Sequence, residues 1–315
     1  MNKEGKGPAW SNSLFEDNAE FGLGMELGQS TLRAGLADRI RKAAEAGSPA
    51  LKEAAEEFFD TYEDSALNAA ATKKLLAALV AEGDSDNVKY LLQNKEFISK
   101  KSQWIFGGDG WAYDIGFGGL DHAIASGRNI NIMVFDTEVY SNTGGQSSKA
   151  TNVGAVAQFA AGGKEVKQKD LAAIAMSYGY VYVAQIAMGA DYNQTVKALT
   201  EAESYPGPSL IVAYAPCITH GIKAGMSKAQ TEEKNAVQAG YWHLFRFDPR
   251  KEVPFQLDSK APTASYQDFL KGENRYTALT LKNPERAEML FDKSEKYAQE
   301  KYAHLLKLQE MYGGK

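Results

Sequence analysis

Two short polar clusters in this chain contain residue types that bind a metal-bound anion. The first is Gly108-Asp109-Gly110, which follows an apolar segment, and the second begins with Asp136-Thr137-Glu138 after another apolar segment. If the two segments are neighbouring parallel strands, Asp109 and Thr137 meet at the carboxyl ends of the strands, where open α/β sheets bind ligands. A carboxylate and a hydroxyl are hard oxygen ligands, and glycine lets phosphate oxygens approach the backbone. The pattern predicts a magnesium ion that carries a diphosphate.

The segment after the glycine turn strengthens this prediction. A helix predicted from Ala112 to Ser126 directs its amino-terminal dipole and free N–H groups at the anion. A Gly-Asp-Gly string by itself also fits an ordinary tight turn. The second cluster, some 28 residues further on, therefore carries much of the argument.

Strands and helices alternate through the middle of the chain, which predicts an α/β fold with a doubly wound, mostly parallel sheet. Residues 31–99 before this core are predicted to form a helical insertion that packs on the sheet, in preference to a part of the active site. A final helix is predicted at 284–311, with Pro284 in its first turn. The predicted strands lie at 103–106, 130–136, 180–186 and 209–213, and the predicted helices between them at 112–126, 169–178 and 191–204.

Composition excludes several classes of protein. Charged residues make up 24% and hydrophobic residues 44% of the 315 residues, as in ordinary soluble domains, and the net charge of -5 indicates neither a nucleic acid nor an anionic membrane as partner. No apolar run approaches about 18 residues, so no transmembrane helix is predicted. The start of the sequence shows no secretion signal, and the single cysteine, Cys217, fits a reducing cytoplasm.

Three longer strings narrow the family. They are DTEVYSNTGGQSSKAT from Asp136, YAPCITHGI from Tyr214 and PFQLDSKAPT from Pro254. With the Gly-Asp-Gly turn they resemble the C-terminal, thiamine diphosphate-binding part of pyruvate:ferredoxin (flavodoxin) oxidoreductase, and the resemblance runs through essentially the whole chain. It implies an incomplete thiamine diphosphate-binding domain at 1–240, with its sheet core at 103–240, and a C-terminal extension at 241–315.

The resemblance implies specific roles for the residues of both clusters. Asp109 and Thr137 are expected to ligate magnesium by their side chains, and Val139 by its carbonyl. Asn142 is expected to contact the carbonyl or carboxylate of the substrate, although a turn asparagine is the alternative interpretation. Asp136 and Glu138 have no acid or base role in this pattern, so they are expected to support the site or to lie on the surface. The residues expected to bind the cofactor are Gly108, Asp109, Gly110, Trp111, Thr137, Glu138, Val139, Tyr140, Ser141 and Asn142.

Cys217 aligns with the last ligand of the [4Fe–4S] cluster nearest the thiamine in this family. A cubane needs about four ligands, and the family's other cysteines are not in this sequence. A lone cysteine after a buried strand also fits a small core residue. His220 is expected to make local hydrogen bonds, the run from Tyr241 to Phe245 to be core or interface, and Lys149 either to screen phosphate or to be solvated.

The resemblance implies oxidative decarboxylation of pyruvate to acetyl-CoA and CO₂. In this reaction coenzyme A takes the acetyl group, and electrons pass singly through iron–sulfur clusters to ferredoxin or flavodoxin. The glutamate that activates the pyrimidine ring is expected in N-terminal domains outside these 315 residues. The chain is therefore expected to be a fragment or a split subunit, inactive alone, of an enzyme that the family suggests is a homodimer.

Two other functions stay open. One is a related 2-oxoacid:ferredoxin oxidoreductase subunit, against which the DTEVYSNTGGQ string and the long helical insertion favour the pyruvate enzyme. The other is a non-catalytic interaction module that keeps the fold without the cofactor. The presence of Asp109, Thr137 and Asn142 argues against such a loss of function.

Overall fold

The structure is a computed structural model that describes residues 11–13 and 15–313. Two compact units divide these residues: one consists of residues 22–103, and the other of the described residues on either side of them. The α-helices are α1 (Asn18–Ala46), α2 (Pro49–Asp60), α3 (Ser65–Ala81), α4 (Asp86–Gln93), α5 (Phe117–Ala125), α6 (Leu171–Met176), α7 (Tyr192–Glu203), α8 (Ala229–Gln238), α9 (Tyr266–Lys271), α10 (Asn274–Lys282) and α11 (Pro284–Tyr312). The strands are β1 (Trp104–Gly108), β2 (Asn131–Asp136), β3 (Val139–Tyr140), β4 (Gln146–Ser147), β5 (Tyr182–Ile186), β6 (Ser209–Tyr214), β7 (Phe245–Phe247) and β8 (Phe255–Leu257).

A six-stranded sheet in the order β1-β2-β6-β5-β7-β8 forms the centre of the larger unit. Strands β1, β2, β6 and β5 are parallel, whereas β7 and β8 pair antiparallel at one edge. The predicted α/β fold with a doubly wound, mostly parallel sheet is therefore confirmed. Because β1 pairs with β2 in register, Gly108 lies opposite Phe135, and the segments that follow the two strands leave the sheet at the same edge.

The strands β5 and β6 are apolar almost throughout because helices cover the central sheet. Every residue of both strands is buried. One core cluster packs these strands against α7. Its buried residues are Met133, Tyr182, Ala184, Ile186, Ala198, Ala202, Tyr205, Ile211 and Ala213.

Three predicted helix boundaries differ from the structure. The first helix begins at Asn18 and not near Thr31, so Gly24 and Gly28 lie inside a helix despite the low helix propensity of glycine. The predicted helix 112–126 is a π-helical segment, Gly110–Ile115, followed by α5. The helix predicted at 169–178 is only the six residues of α6. The final helix, at 284–312, follows its prediction closely.

The smaller unit is a helical assembly with its own apolar core, and its helices span the region 31–99. Buried Arg33 donates from Nε to the Ile98 carbonyl and from Nη2 to the Tyr62 carbonyl, so its charge is satisfied by backbone oxygens. None of the described helices is long and apolar enough to cross a membrane. The buried core residues of this unit are Leu36, Ile40, Leu51, Ala55, Phe58, Ala71, Leu75, Leu79, Val88, Leu91 and Ile98.

Candidate functional site

A cleft of about 360 Å³ opens at the carboxyl ends of β1 and β2. The π-helical segment turns away from β1 directly after Asp109, and the loop after β2 folds back over it through the short β3–β4 ribbon. Residues from both clusters singled out in the sequence therefore line one cavity. Its lining residues are Phe15, Phe106, Gly107, Gly108, Asp109, Gly110, Phe135, Thr137, Val139, Tyr140, Ser141 and Asn142.

The hydroxyl oxygen of Thr137 lies within contact distance of two other oxygen atoms of residues that line this cleft. Oγ1 of Thr137 lies 2.8 Å from Oδ1 of Asp109 and 3.0 Å from the carbonyl oxygen of Val139. Adjacent oxygens of an octahedral Mg²⁺ site, at metal–oxygen distances of 2.0–2.1 Å, are separated by about 2.9 Å. The carboxylate, hydroxyl and carbonyl thus have the chemistry of magnesium ligands, and the two distances from the hydroxyl match the spacing of adjacent ligands.

Gly108 and Gly110 are glycines for two different structural reasons. A Cβ atom built on Gly108 would meet no atom within 4 Å, so this position opens directly into free space of the cleft. A Cβ on Gly110 would lie 2.6 Å from the Tyr140 ring. Gly108 therefore leaves room for a ligand, whereas Gly110 is required for packing of the loop.

Carboxylates dominate the electrostatics of the site. Burial raises the pKa of Asp109 to about 6, although hydrogen bonds from Ser148 and Thr137 act in the opposite direction. Burial, with the charges of Asp109 and Glu138, raises the pKa of Asp136 well above its ordinary value. A bound divalent cation would relieve this clustering of negative charge and favour the ionised carboxylates.

Asp136 and Glu138 are both buried, so the surface position considered for them is wrong. Asp136 accepts a hydrogen bond of 2.7 Å from the Tyr113 hydroxyl. Glu138 forms an ion pair with Arg275 at 2.6 Å and accepts hydrogen bonds from the Tyr241 hydroxyl. Burial would raise the pKa of Glu138, but Arg275, His220 and Tyr241 together outweigh it and leave this pKa below its ordinary value.

Some of the remaining residues expected to bind the cofactor line the cleft, and others are buried behind it. Tyr140, Ser141 and Asn142 line the cleft, and Asn142 is exposed there. Trp111 does not line it, because its fully buried indole packs behind the turn against Gly107 and Gly116. Eight of the ten residues expected to bind the cofactor therefore line the cleft, and Trp111 and Glu138 support it from behind.

Cys217 lies at the same sheet edge, three residues beyond β6, whose last residue Tyr214 is in register with Asp136. It is partly exposed, so it is not a small core residue. Its backbone N–H donates to Nδ1 of His220 at 3.1 Å, which confirms His220 as a local hydrogen-bonding group. Among the described residues, no group of three or more His, Cys, Asp or Glu side chains is arranged to hold a metal ion.

Two further predictions concern Lys149 and the aromatic run from Tyr241 to Phe245. Lys149 pairs with Asp114 at 2.6 Å and is largely exposed, which fits the solvated alternative. The aromatic run from Tyr241 to Phe245 is buried, as predicted for core residues.

The sequence interpretation missed Ser148, Tyr113 and Arg275. Ser148 donates to Oδ2 of Asp109 at 2.5 Å, and its position in the QSSKAT string was the only signal for it. Arg275 lies far from both clusters in the sequence and is not part of any of the motifs described above.

Comparison with known proteins agrees with this geometry. The family "Thiamine pyrophosphate enzyme, C-terminal TPP binding domain" matches residues 93–213, which include both clusters. Pyruvate-flavodoxin oxidoreductase from Klebsiella pneumoniae is 53% identical over 313 residues, covering 98% of this chain and 27% of the relative. Pyruvate:ferredoxin oxidoreductase from Moorella thermoacetica is 55% identical over 321 residues, with the same two coverages.

A third relative differs in its named electron acceptor. Mitochondrial pyruvate dehydrogenase [NADP(+)] from Euglena gracilis is 47% identical over 92% of this chain and 16% of the relative. A solved 2-oxoglutarate:ferredoxin oxidoreductase from Magnetococcus marinus is 24% identical over 37% of this chain and 40% of that chain, with a TM-score of 0.35.

The chain spans about a quarter of the length of the first two relatives, yet nearly all of it matches them. The matched region includes the positions of Asp109, Thr137 and Val139. This chain is therefore similar, over 98% of its length, to a segment of pyruvate:ferredoxin and pyruvate-flavodoxin oxidoreductases, and its residues 93–213 match the C-terminal thiamine pyrophosphate-binding domain.

Proposed function

We propose that the cleft binds the diphosphate of thiamine diphosphate through a magnesium ion held by Asp109, Thr137 and the Val139 carbonyl. The single observation that carries this proposal is the set of oxygen–oxygen distances, 2.8 and 3.0 Å, around the Thr137 hydroxyl. The open space beside Gly108 gives the diphosphate access to the backbone. Among the three proposed ligands, only Asp109 carries a negatively charged side chain.

We further propose that the longer enzyme that contains this segment oxidises pyruvate. When bound, thiamine diphosphate supplies the nucleophilic carbon and the electron sink for decarboxylation of a 2-oxo acid. The residues of this chain hold the metal, exclude water from the buried floor of the cleft and orient the reactants. Coenzyme A, the activating glutamate and the remaining cluster ligands belong to this proposal as contributions from outside the chain.

Asn142 is proposed to orient the substrate. It lines the cleft and is exposed, and its amide offers both a donor and an acceptor to a carbonyl or carboxylate. In the complete oxidoreductase, Asn142→Ala should raise the KM for pyruvate while the affinity for thiamine diphosphate stays unchanged. A lower cofactor affinity with an unchanged KM would contradict this role.

Cys217 is proposed as one ligand of a [4Fe–4S] cluster in the complete enzyme. Its support is its partial exposure and its place at the sheet edge that carries Asp136 and Thr137. An electron acceptor is not assigned to this segment. Relatives named for flavodoxin, ferredoxin and NADP(+) all share it at 47–55% identity, so we infer that it serves the chemistry common to them.

The proposed cofactor site is tested by comparing three ligands that carry no, one or two phosphate groups. The ligands are thiamine, thiamine monophosphate and thiamine diphosphate. Each is titrated calorimetrically into the folded chain, either with an excess of Mg²⁺ on the order of 5 mM or with EDTA. We expect only the diphosphate to bind, and only with magnesium. Equal binding of all three ligands, or binding in EDTA, would refute a metal-held diphosphate.

A further inference from the structure

Glu138 lies between Thr137 and Val139, the two loop residues proposed as metal ligands, and its backbone is in an unusual conformation. Its φ is +57°, in the left-handed region that favours glycine. A non-glycine residue stays in this region only where the surrounding structure determines its conformation. Across this turn the Thr137 hydroxyl lies 3.0 Å from the Val139 carbonyl oxygen, and the same hydroxyl lies 2.8 Å from Oδ1 of Asp109.

Every polar part of Glu138 has a partner within the core. Its N–H donates to Oδ1 of Asp136 at 3.1 Å, and its carbonyl accepts from the Thr151 hydroxyl at 2.5 Å. Its carboxylate, 1% exposed, lies 2.6 Å from Nη2 of Arg275 and accepts from the Tyr241 hydroxyl at 2.7 and 2.8 Å. The side chain is therefore anchored away from the cleft while the flanking residues face into it.

Arg275 makes this anchor rigid. It lies in the first turn of α10, is 4% exposed and bridges two carboxylates, because its Nε also lies 2.6 Å from Glu273. Burial would lower the pKa of Arg275, but Glu138 and Glu273 raise it well above its ordinary value, so the guanidinium stays charged. A planar guanidinium fixes the direction of both carboxylates in a way that an ammonium does not.

A second contact links the anchor to the Cys217 loop. Because Nδ1 of His220 accepts from the Cys217 N–H, its ring proton resides on Nε2. That nitrogen lies 3.6 Å from Oε2 of Glu138, and the ring is fully buried. The loop expected to hold a cluster ligand and the loop that faces Asp109 thus meet at one carboxylate.

We propose that Glu138, held by Arg275, is a positioning residue that sets the geometry of the metal-binding loop, and that it does so without touching metal or cofactor. This inference rests on the proposed function, since it names the device that places two of the proposed ligands. A purely structural ion pair would stabilise the fold and leave metal affinity unchanged. The two roles therefore differ in a measurable way.

The test uses Mn²⁺ as a probe for the magnesium site, with free Mn²⁺ measured by electron paramagnetic resonance at saturating thiamine diphosphate. Glu138→Asn keeps a residue that tolerates positive φ but cannot reach Arg275. We expect this variant to bind Mn²⁺ at least about tenfold more weakly than the wild type, as for lost outer-shell partners of metal ligands. Affinity within about twofold of the wild type would overturn the proposal.

A matched control is a second buried ion pair. Arg246 in β7, whose side chain is only 4% exposed, pairs with Glu201 at 2.9 Å and with Asp258 at 2.8 Å. Arg246→Met should lower the melting temperature and leave Mn²⁺ affinity unchanged. A loss of affinity in Arg246→Met equal to that in Glu138→Asn would show that general destabilisation is the cause, and would also overturn the proposal.

Arg275→Lys keeps the experiment decisive if Glu138→Asn does not fold. It retains the buried positive charge but loses the fork that bridges Glu138 and Glu273. Its Mn²⁺ affinity should fall below that of the wild type, and wild-type affinity would refute the positioning role. If the wild-type chain itself binds no Mn²⁺ with thiamine diphosphate, the proposed function fails and this inference fails with it.

Discussion

The hydroxyl oxygen of Thr137 lies 2.8 Å from Oδ1 of Asp109. This contact links the ends of two neighbouring strands. Asp109 follows β1 and Thr137 follows β2, and the parallel register of these strands brings the two residues to one edge. The same hydroxyl lies 3.0 Å from the Val139 carbonyl. One side chain thus connects the glycine turn to the loop that closes over it, and substitutions there should separate metal binding from folding.

Thr137→Val should weaken magnesium binding by about 10–100-fold, because valine keeps the shape of threonine and removes the oxygen. Thr137→Ser retains the hydroxyl and should bind within a few-fold of the wild type. Calorimetric titration of Mg²⁺ into each variant at saturating thiamine diphosphate measures the difference. Equal affinity of the valine and serine variants would exclude the hydroxyl as a ligand.

Gly108→Ala and Gly110→Ala should have opposite consequences. The added methyl at 108 meets no protein atom within 4 Å, so stability should change by less than about 1 kcal/mol, while thiamine diphosphate binding falls because the methyl occupies its space. The methyl at 110 collides with the Tyr140 ring, which should cost about 1–3 kcal/mol of folding free energy. Denaturant unfolding and cofactor titration of both variants check this. A stable Gly108→Ala variant with wild-type affinity would contradict the assigned ligand space.

His243 should make the chain less stable in mild acid. Burial, reinforced by the nearby charge of Lys301, lowers the pKa of this histidine to about 4. An unfolded histidine titrates at about 6.5, so between these values the unfolded chain binds the proton that the folded chain does not. Stability is therefore fully present above about pH 6.5 and is lost as the pH falls toward 4, by about 2 kcal/mol at pH 5.

His243→Phe provides the measurement for this pH dependence. The phenyl ring preserves the contact with Tyr302, whose ring centroid lies 5.4 Å away, and removes the titrating group. Urea unfolding at pH 7 and at pH 5 should show a loss of stability that is smaller in the variant by about 2 kcal/mol. His220, with a pKa of about 4, contributes to the loss in both proteins and so cancels from the comparison. An equal loss in both proteins would show that His243 does not carry the effect.

The sequence predicted the parallel strands and the cleft residues because both depend on local pattern. Apolar runs at β1, β2, β5 and β6 are bounded by glycine, proline or polar turns, and the residues after β1 and β2 must lie at one edge. The π-helical turn at Gly110–Ile115 was not predictable, since it results from burial of Trp111 against Gly107 and Gly116.

Arg275 shows why the support of the site escaped prediction. Its contact with Glu138 depends on how α10 packs beneath the loop, and no spacing in the chain encodes that contact. Glu138 itself reads as a polar turn residue in DTEVYSNTGG, whereas the fold buries it. Local sequence therefore identified the residues that face the ligand better than those that hold them.

The most direct test of the account is a calorimetric titration of thiamine diphosphate into the wild-type chain and into Asp109→Asn, each with and without Mg²⁺. Asparagine preserves the volume of the buried side chain and removes the charge that the metal requires, so both proteins should unfold at similar temperatures. We expect magnesium-dependent binding in the wild type and none in the variant. Binding in a folded Asp109→Asn variant that matches the wild type would contradict the assignment of this cleft as a metal-held diphosphate site.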